Sequence, residues 1–189
     1  MKVLNVNKYH QLTGGGDRFF FDSASILEKN KNEVIPYCLN YEGNRPTSYS
    51  KYFPEGVTGN EVTNVSLFKK IQLYFNGIYS FKSKKNLSNL LNDHSIDVAH
   101  LHILHYSMSP SVIDTLSSHK VPIVFSLHDY RIICVGGFFY TGDSECYKCL
   151  GGHYLHGVKN KCYRNSSIQS SMGGVGNYLY DILKIYEKV

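Results

Sequence analysis

One segment decides the fold of this chain: residues 2–39 read KVLNVNKYHQLTGGGDRFFFDSASILEKNKNEVIPYCL. The segment begins with a short apolar run at 2–7, continues through three consecutive glycines, and ends with a second apolar run at 34–39. Between the glycines and the second run, helical spacing predicts one buried face made of Phe19, Phe20, Ser23, Ile26 and Leu27. The order strand, glycine loop, helix and strand predicts a βαβ unit.

In the rest of the chain, predicted strands and helices alternate in the same way. Residues 97–102 and 122–127 are predicted strands, and the second is apolar on both faces, as parallel strands covered by helices are. Ser109 followed by Pro110 predicts the N-cap and first position of a helix. Helical spacing also runs through three further segments, at 67–75, 87–91 and 166–189.

Two predicted loops interrupt this pattern. Residues 40–62 have no clean period, and residues 130–165 contain four cysteines and six glycines. We therefore predict that residues 1–189 form a single α/β domain with a doubly wound, mainly parallel, Rossmann-like sheet and a cysteine-bearing loop at 130–165.

Composition limits the classes of function. The 189 residues are 42% hydrophobic and carry a net charge of +5, which suits one globular domain and is too small a charge to predict nucleic-acid binding. The N-terminal run is too short and polar for a signal peptide, and no stretch approaches the ~20 apolar residues of a membrane span. We expect a cytoplasmic protein whose cysteines are mostly reduced.

Ligands of open α/β sheets bind at the carboxyl ends of the strands, and polar and aromatic residues gather there in this sequence. They are Gly14, Gly15, Gly16, Arg18, His102, His105, Tyr106, His128, Asp129 and Tyr130. The glycines allow a ligand to approach the backbone, and the helix that follows suits a phosphate or a sugar hydroxyl at its N-terminus. A flexible turn is the alternative. The loop fits neither the dinucleotide fingerprint nor the Walker motif, so no redox cofactor is expected.

His128 is the first candidate for a role in chemistry. It follows a predicted strand, and the carboxylate of Asp129 beside it can accept one ring N–H and fix the tautomer. A histidine satisfied by backbone at a strand end is the alternative, and it applies more strongly to His100 and His102, which share one face of their strand. Because no carboxylate stands near these two in the sequence, we expect no catalytic metal.

The four cysteines of the second loop have the spacing C-x11-C-x2-C-x12-C, at Cys134, Cys146, Cys149 and Cys162. Four thiolates suit a closed, tetrahedral structural Zn²⁺ site, which would stabilise a loop with few large aliphatic side chains. A redox pair at Cys146 and Cys149 is the less favoured alternative, since thioredoxin chemistry places its pair between a strand and a helix.

Three motifs carry a resemblance to a known family: MKVL leading into TGGGDR at 13–18, DVAHLH at 97–102, and VFSLHDY at 124–130. Together they resemble the N-terminal domain of the retaining glycosyltransferases of family 4, whose GT-B architecture sets two Rossmann-like domains across a cleft. The resemblance implies transfer of a hexosyl group from a UDP- or GDP-sugar to a hydroxyl of a glycan or lipid-linked acceptor, with retention of configuration, in glycan or polysaccharide biosynthesis.

The resemblance also implies roles for individual residues. The glycine loop would lie beside the donor's diphosphate, and His128 would contact the transferred sugar near the reacting centre. Donor contacts are implied for Gly14, Gly15, Gly16, Arg18 and Asp129, and acceptor contacts for His102, His105, Tyr106 and Tyr130. The family's carboxylate pair and most of its nucleotide contacts belong to a C-terminal domain that this chain lacks, so the chain alone is expected to be inactive. Peripheral attachment to the inner face of the membrane is compatible with this class.

A different class of function stays open. The chain can be a zinc-stapled binding or regulatory module without catalysis, a hypothesis that explains the cysteines but not the polar groups at the strand ends. Steeply salt-dependent, zinc-dependent binding of nucleic acid would favour this alternative.

Overall fold

The structure is a computed structural model that describes residues 1–55, 66–104, 108–142 and 144–189. The chain divides into two compact units: a first unit of residues 1–126 with 188–189, and a second unit of residues 127–187. Within the described ranges, no helix has both the length and the apolar character needed to span a membrane. The first unit contains the predicted sheet, and the second contains the cysteines of the predicted loop.

Four parallel strands form the sheet of the first unit: β1 (Lys2–Val6), β2 (Glu33–Tyr37), β3 (Val98–Leu101) and β4 (Ile123–Phe125). Their order is β2-β1-β3-β4. In the register of this sheet, Leu4 of β1 lies between Ile35 and Ala99, and all three side chains are fully buried. The prediction of an α/β fold with a parallel sheet is confirmed, and the arrangement is compatible with a Rossmann-like fold.

The direction in which successive strands are added to the sheet reverses at β1. From β1 the chain moves to β2 on one side, then crosses to β3 on the other side and continues outward to β4. The carboxyl ends of β1 and β3 therefore adjoin where the winding reverses, which is the position at which open α/β sheets bind ligands.

Among the described residues of the first unit, four helices accompany these strands. They are α1 (Gly15–Lys29), α2 (Leu67–Ile78), α3 (Phe81–Asp93) and α4 (Ser111–Ser118), with a 3₁₀ turn at Ser48–Tyr52. The predicted start of α4 is wrong by one residue, because Pro110 occupies the N-cap position. Ser109 has a positive φ of 56°, and its hydroxyl oxygen instead accepts hydrogen bonds from the backbone N–H groups of Ser80 and Ser111.

Two predicted buried faces are wrong in part. On α1, Phe20 is buried as predicted, but Phe19 and Ile26 are 49% and 60% exposed. On β4, Val124 is 54% exposed, because β4 lies at the edge of the sheet. Helical or strand periodicity identifies an apolar face, but the partners that cover the face depend on the tertiary arrangement.

The second unit is more structured than the predicted loop. It contains a short antiparallel pair, β5 (Tyr140–Thr141) and β6 (Ser144–Glu145), a 3₁₀ turn at Leu150–Gly152, and the helices α5 (Leu155–Lys159) and α6 (Ser167–Ile182). Ser166 caps α6 by accepting a hydrogen bond from the backbone N–H of Gln169. Val135, Cys149 and Tyr154 form a small buried cluster in this unit.

Candidate functional site

The turn between β1 and α1 is closed by one buried carboxylate. Asp17, in the first turn of α1, is 5% exposed. Its Oδ2 accepts hydrogen bonds from the backbone N–H of Thr13, at 3.1 Å, and from the Thr13 hydroxyl. A negative charge at this end of a helix is also favoured by the helix dipole. The turn that carries the glycines is therefore held by a side chain at its base.

Asn7 links this turn to the ends of the neighbouring strands. Its side-chain amide donates to the Oδ1 of Asp17, at 2.8 Å, and to the carbonyl of Tyr9. Its side-chain carbonyl accepts from the backbone N–H of Ile103, just after β3, at 3.3 Å. Because Asn7 is fully buried, each of these bonds satisfies a group that would otherwise be costly to bury. The network fixes the carboxyl ends of β1 and β3 relative to the N-terminus of α1.

The glycines above this network are in open space. Gly14 caps α1 in an extended conformation, with φ −162° and ψ −173°, and neither Gly14 nor Gly15 has a positive φ. A β-carbon at either position would meet no atom within 4 Å. Neither the backbone conformation nor the packing therefore requires glycine at these two positions, and the absence of side chains leaves the backbone open to close approach.

The chemistry offered at this turn suits an anion. The first backbone N–H groups of a helix have no partner within the helix, and the dipole adds a positive potential there. Gly14 and Gly15 place no side chain over these groups, and Arg18 follows on the exposed face of α1. Its guanidinium pairs with Asp22 at 3.2 Å, with both side chains more than half exposed. Such an exposed pair contributes little stability, so an incoming phosphate can compete for Arg18.

His102 lies beneath the turn rather than on its surface. The side chain is 2% exposed, and its Nε2 lies 2.9 Å from the Oδ1 of Asn5. Since this amide oxygen only accepts, Nε2 carries the ring proton. The ring also contacts Phe20 edge-on and lies 4.1 Å from the ring of His100, which confirms that the two histidines share one strand face. This geometry gives His102 a part in joining β3 to β1, and its contact with an acceptor stays a prediction.

The loops after β1 and β2 are joined by contacts that the sequence did not indicate. His10 exchanges backbone and side-chain hydrogen bonds with Asn44 and Arg45, including one from its Nδ1 to the Arg45 carbonyl at 2.9 Å. The Arg45 guanidinium stacks over the ring of Phe21, 4.0 Å from its centroid. Burial lowers the pKa of His10, and the Arg45 charge lowers it further, against the effect of the hydrogen bond to the carbonyl. The ring is therefore neutral at neutral pH.

Two predicted acceptor residues, His105 and Tyr106, lie outside the described residues. The other predicted strand-end residues belong to the second unit. His128 is exposed, and its contact with a sugar stays a prediction. Tyr130 is 56% exposed, and its ring packs against Phe139 with centroids 4.9 Å apart.

Asp129 is engaged with Arg131, a residue that sequence reasoning missed. The backbone N–H of Arg131 donates to the Oδ1 of Asp129 at 2.9 Å. The Nε of the Arg131 side chain lies 3.3 Å from the Oδ2 of Asp129, but the two atoms are not aligned for a hydrogen bond. The Arg131 guanidinium lies over the ring of Tyr163. An Asp that accepts from the N–H two residues later is a common turn device, so the spacing of Asp129 and Arg131 was the available signal.

The four cysteines of the predicted zinc site are all in the second unit. Cys134 and Cys149 are buried, and Cys146 and Cys162 are half-buried. Within the ranges that the structure describes, no group of three or more His, Cys, Asp or Glu side chains is arranged to hold a metal ion. Cys38 is fully buried in the first unit.

Comparison with known proteins identifies no relative: no protein-family model, no curated protein and no solved structure matches the chain. The resemblance to family 4 glycosyltransferases therefore depends on the three sequence motifs.

Proposed function

We propose that this chain is the acceptor-side, N-terminal half of a retaining hexosyltransferase of the GT-B type, which uses a sugar nucleotide as donor. The observation that carries the proposal is the open glycine turn at the N-terminus of α1, where Gly14 and Gly15 leave room that the fold does not need. The turn stands where the winding of the sheet reverses, and it is held by the buried Asp17.

The features of the turn fit a diphosphate better than a neutral ligand. Backbone N–H groups at a helix N-terminus and the loosely paired Arg18 favour negative charge, against the opposing charge of the buried Asp17 carboxylate. In the transfer, the bond between the sugar's anomeric carbon and the diphosphate oxygen breaks. A new bond forms from the acceptor hydroxyl oxygen, and the hydroxyl proton leaves with the diphosphate. Fixed donors at the turn would stabilise the charge that develops on the diphosphate.

The exposed His128 is the residue of the second unit that we assign to the transferred sugar. Its position, three residues after the end of β4, matches the motif VFSLHDY of the resemblance. In this proposal the enzyme works in the cytoplasm, on a glycan or lipid-linked acceptor, and the second half of the enzyme supplies most of the contacts to the nucleotide.

The test uses the full-length product of the source gene. Its thermal unfolding is measured alone and with UDP, GDP, several UDP- and GDP-sugars, and NAD as the control ligand. We expect a rise in Tm with one sugar nucleotide and none with NAD, because a ligand that binds only the folded state stabilises it. A rise with NAD, or no rise with any of the nucleotides, would overturn the proposal.

A further inference from the structure

The second unit gathers four thiols from three separate stretches of chain. Cys134 and Cys149 are 8% and 6% exposed, while Cys146 and Cys162 are half-buried. Free cysteine commonly packs as a small hydrophobic residue, so burial alone does not assign these four a role. The cluster plays no part in the proposed glycosyl transfer.

Two glycines show how closely the stretches approach one another. A β-carbon on Gly157 would lie 2.5 Å from the Cβ of Val135 and 3.2 Å from the Sγ of Cys149. A β-carbon on Gly136 would lie 3.4 Å from the Cβ of Cys162. The residues that directly follow Cys134 are therefore packed against the surroundings of both Cys149 and Cys162.

Cys146 belongs to the same group, because only two residues separate it from Cys149. The three stretches that carry the cysteines therefore converge in the second unit.

Two backbone N–H groups are directed at one of these sulfurs. The backbone N–H groups of Val135 and Gly157 both donate hydrogen bonds to the sulfur of Cys149. A neutral thiol is a weak acceptor, and amide donors suit a charged sulfur far better. The chain after Cys149 turns through Gly151 and Gly152, which have positive φ values of 72° and 86°. The backbone therefore bends sharply beside the sulfur.

We propose that Cys134, Cys146, Cys149 and Cys162 together bind one Zn²⁺ as a structural site of the second unit. Four S–H bonds give way to four Zn–S bonds, and the four protons pass to the solvent. The resulting charge of −2 is offset by the amide donors on Cys149 and by the segment from Lys148 to Arg164, which contains four basic and no acidic residues. Binding requires Cys146 and Cys162, the half-buried pair, to turn toward the buried pair.

A Co²⁺ titration of the reduced 189-residue chain tests the proposal, because cobalt in a tetrahedral thiolate site gives intense visible bands and sulfur-to-metal charge transfer. We expect these bands to saturate at about one Co²⁺ per chain and to disappear when Zn²⁺ displaces it. Cobalt bound without sulfur charge transfer, or a folded chain that binds none, would overturn the proposal. Five freely reactive thiols in the native, zinc-treated chain would do the same.

Two variants test whether metal binding depends on the four cysteines of the cluster or on any cysteine of the chain. Cys146→Ser, at a half-buried position, should weaken Co²⁺ binding by about a hundredfold or more, since loss of a ligand exceeds the ~10–100-fold cost of losing an outer-shell partner. Cys38→Ala, in the first unit, should leave the stoichiometry and the spectrum unchanged. Equal effects of the two substitutions would show that the cluster is not the site.

Discussion

The Asp17 carboxylate holds Thr13 by two hydrogen bonds, one from the backbone N–H and one from the side-chain hydroxyl. Sequence patterns of helix capping place the acidic partner three residues after the Thr, whereas here the spacing is four. Asp17 thus stabilises the turn between β1 and α1. Because Asp17 holds the turn, the backbone at Gly14 and Gly15 can stay free of covering side chains.

Replacing Asp17 with Asn should destabilise the first unit. An Asn side chain offers only one oxygen, so either Asn7 or Thr13 loses its acceptor in a buried environment. We expect the free energy of unfolding to fall by about 1–3 kcal/mol, measured by urea denaturation. Asp22→Asn, on the exposed face of the same helix, should change it by no more than about 0.5 kcal/mol. Equal stabilities of the two variants would contradict this role of Asp17 in the turn.

Replacing Gly15 with Val should weaken binding of the sugar nucleotide and leave the stability of the fold nearly unchanged. A β-carbon there meets nothing within 4 Å, so we expect unfolding free energies within about 1 kcal/mol of the parent. In the full-length enzyme, the added methyl groups should weaken the Tm response to the sugar nucleotide. Ser25→Val, on an exposed position of α1, is the control of equal bulk. A variant with an unaltered donor response would show that the loop is only a turn.

The sequence predicted the sheet because β1, β2 and β3 are apolar runs with glycine or polar boundaries, which are local signals. It could not predict the network under the turn, because that network includes a bond between distant residues: Asn7 and Ile103 are 96 positions apart in the chain. The error on α1 has the same origin. Phe19 and Phe20 are adjacent aromatic residues, and only the packing of the helix decides that Phe20 is buried and Phe19 half exposed.

His102 provides a test of whether a strand-end histidine is structural or binds a ligand. His102→Gln keeps an N–H donor for Asn5, and we expect it to cost less than about 1.5 kcal/mol. His102→Ala leaves a cavity and an unsatisfied amide oxygen, and should cost about 2 kcal/mol or more. If His102 only joins β3 to β1, the Gln variant of the full-length enzyme keeps its acceptor KM. A raised KM at unchanged stability would support acceptor contact.

The half-buried ring of His10 makes stability depend on pH in a defined direction. Its folded pKa is lowered from the ordinary value of 6.5, so the unfolded chain binds the proton more tightly. The contribution of His10 is complete above about pH 6.5 and decreases as the pH falls through the unfolded pKa toward the folded one.

Comparison with His10→Asn isolates this effect, because Asn can donate a similar hydrogen bond to Arg45 but does not titrate. We expect the unfolding free energy of the parent to decrease more steeply between pH 7 and 5 than that of the variant, by urea denaturation at each pH. Parallel curves would exclude His10 as the titrating group.

His128 is the residue on which the assignment of the transferred sugar depends. Because it is exposed, His128→Ala should leave the unfolding free energy within about 0.5 kcal/mol of the parent. In the full-length enzyme, kcat should fall sharply, by about a hundredfold, if the ring contacts groups whose charge changes in the transition state. His119→Ala, at an exposed histidine after α4, should leave kcat unchanged. A rise in KM alone would assign His128 to ground-state binding, and normal kinetics would remove it from the site.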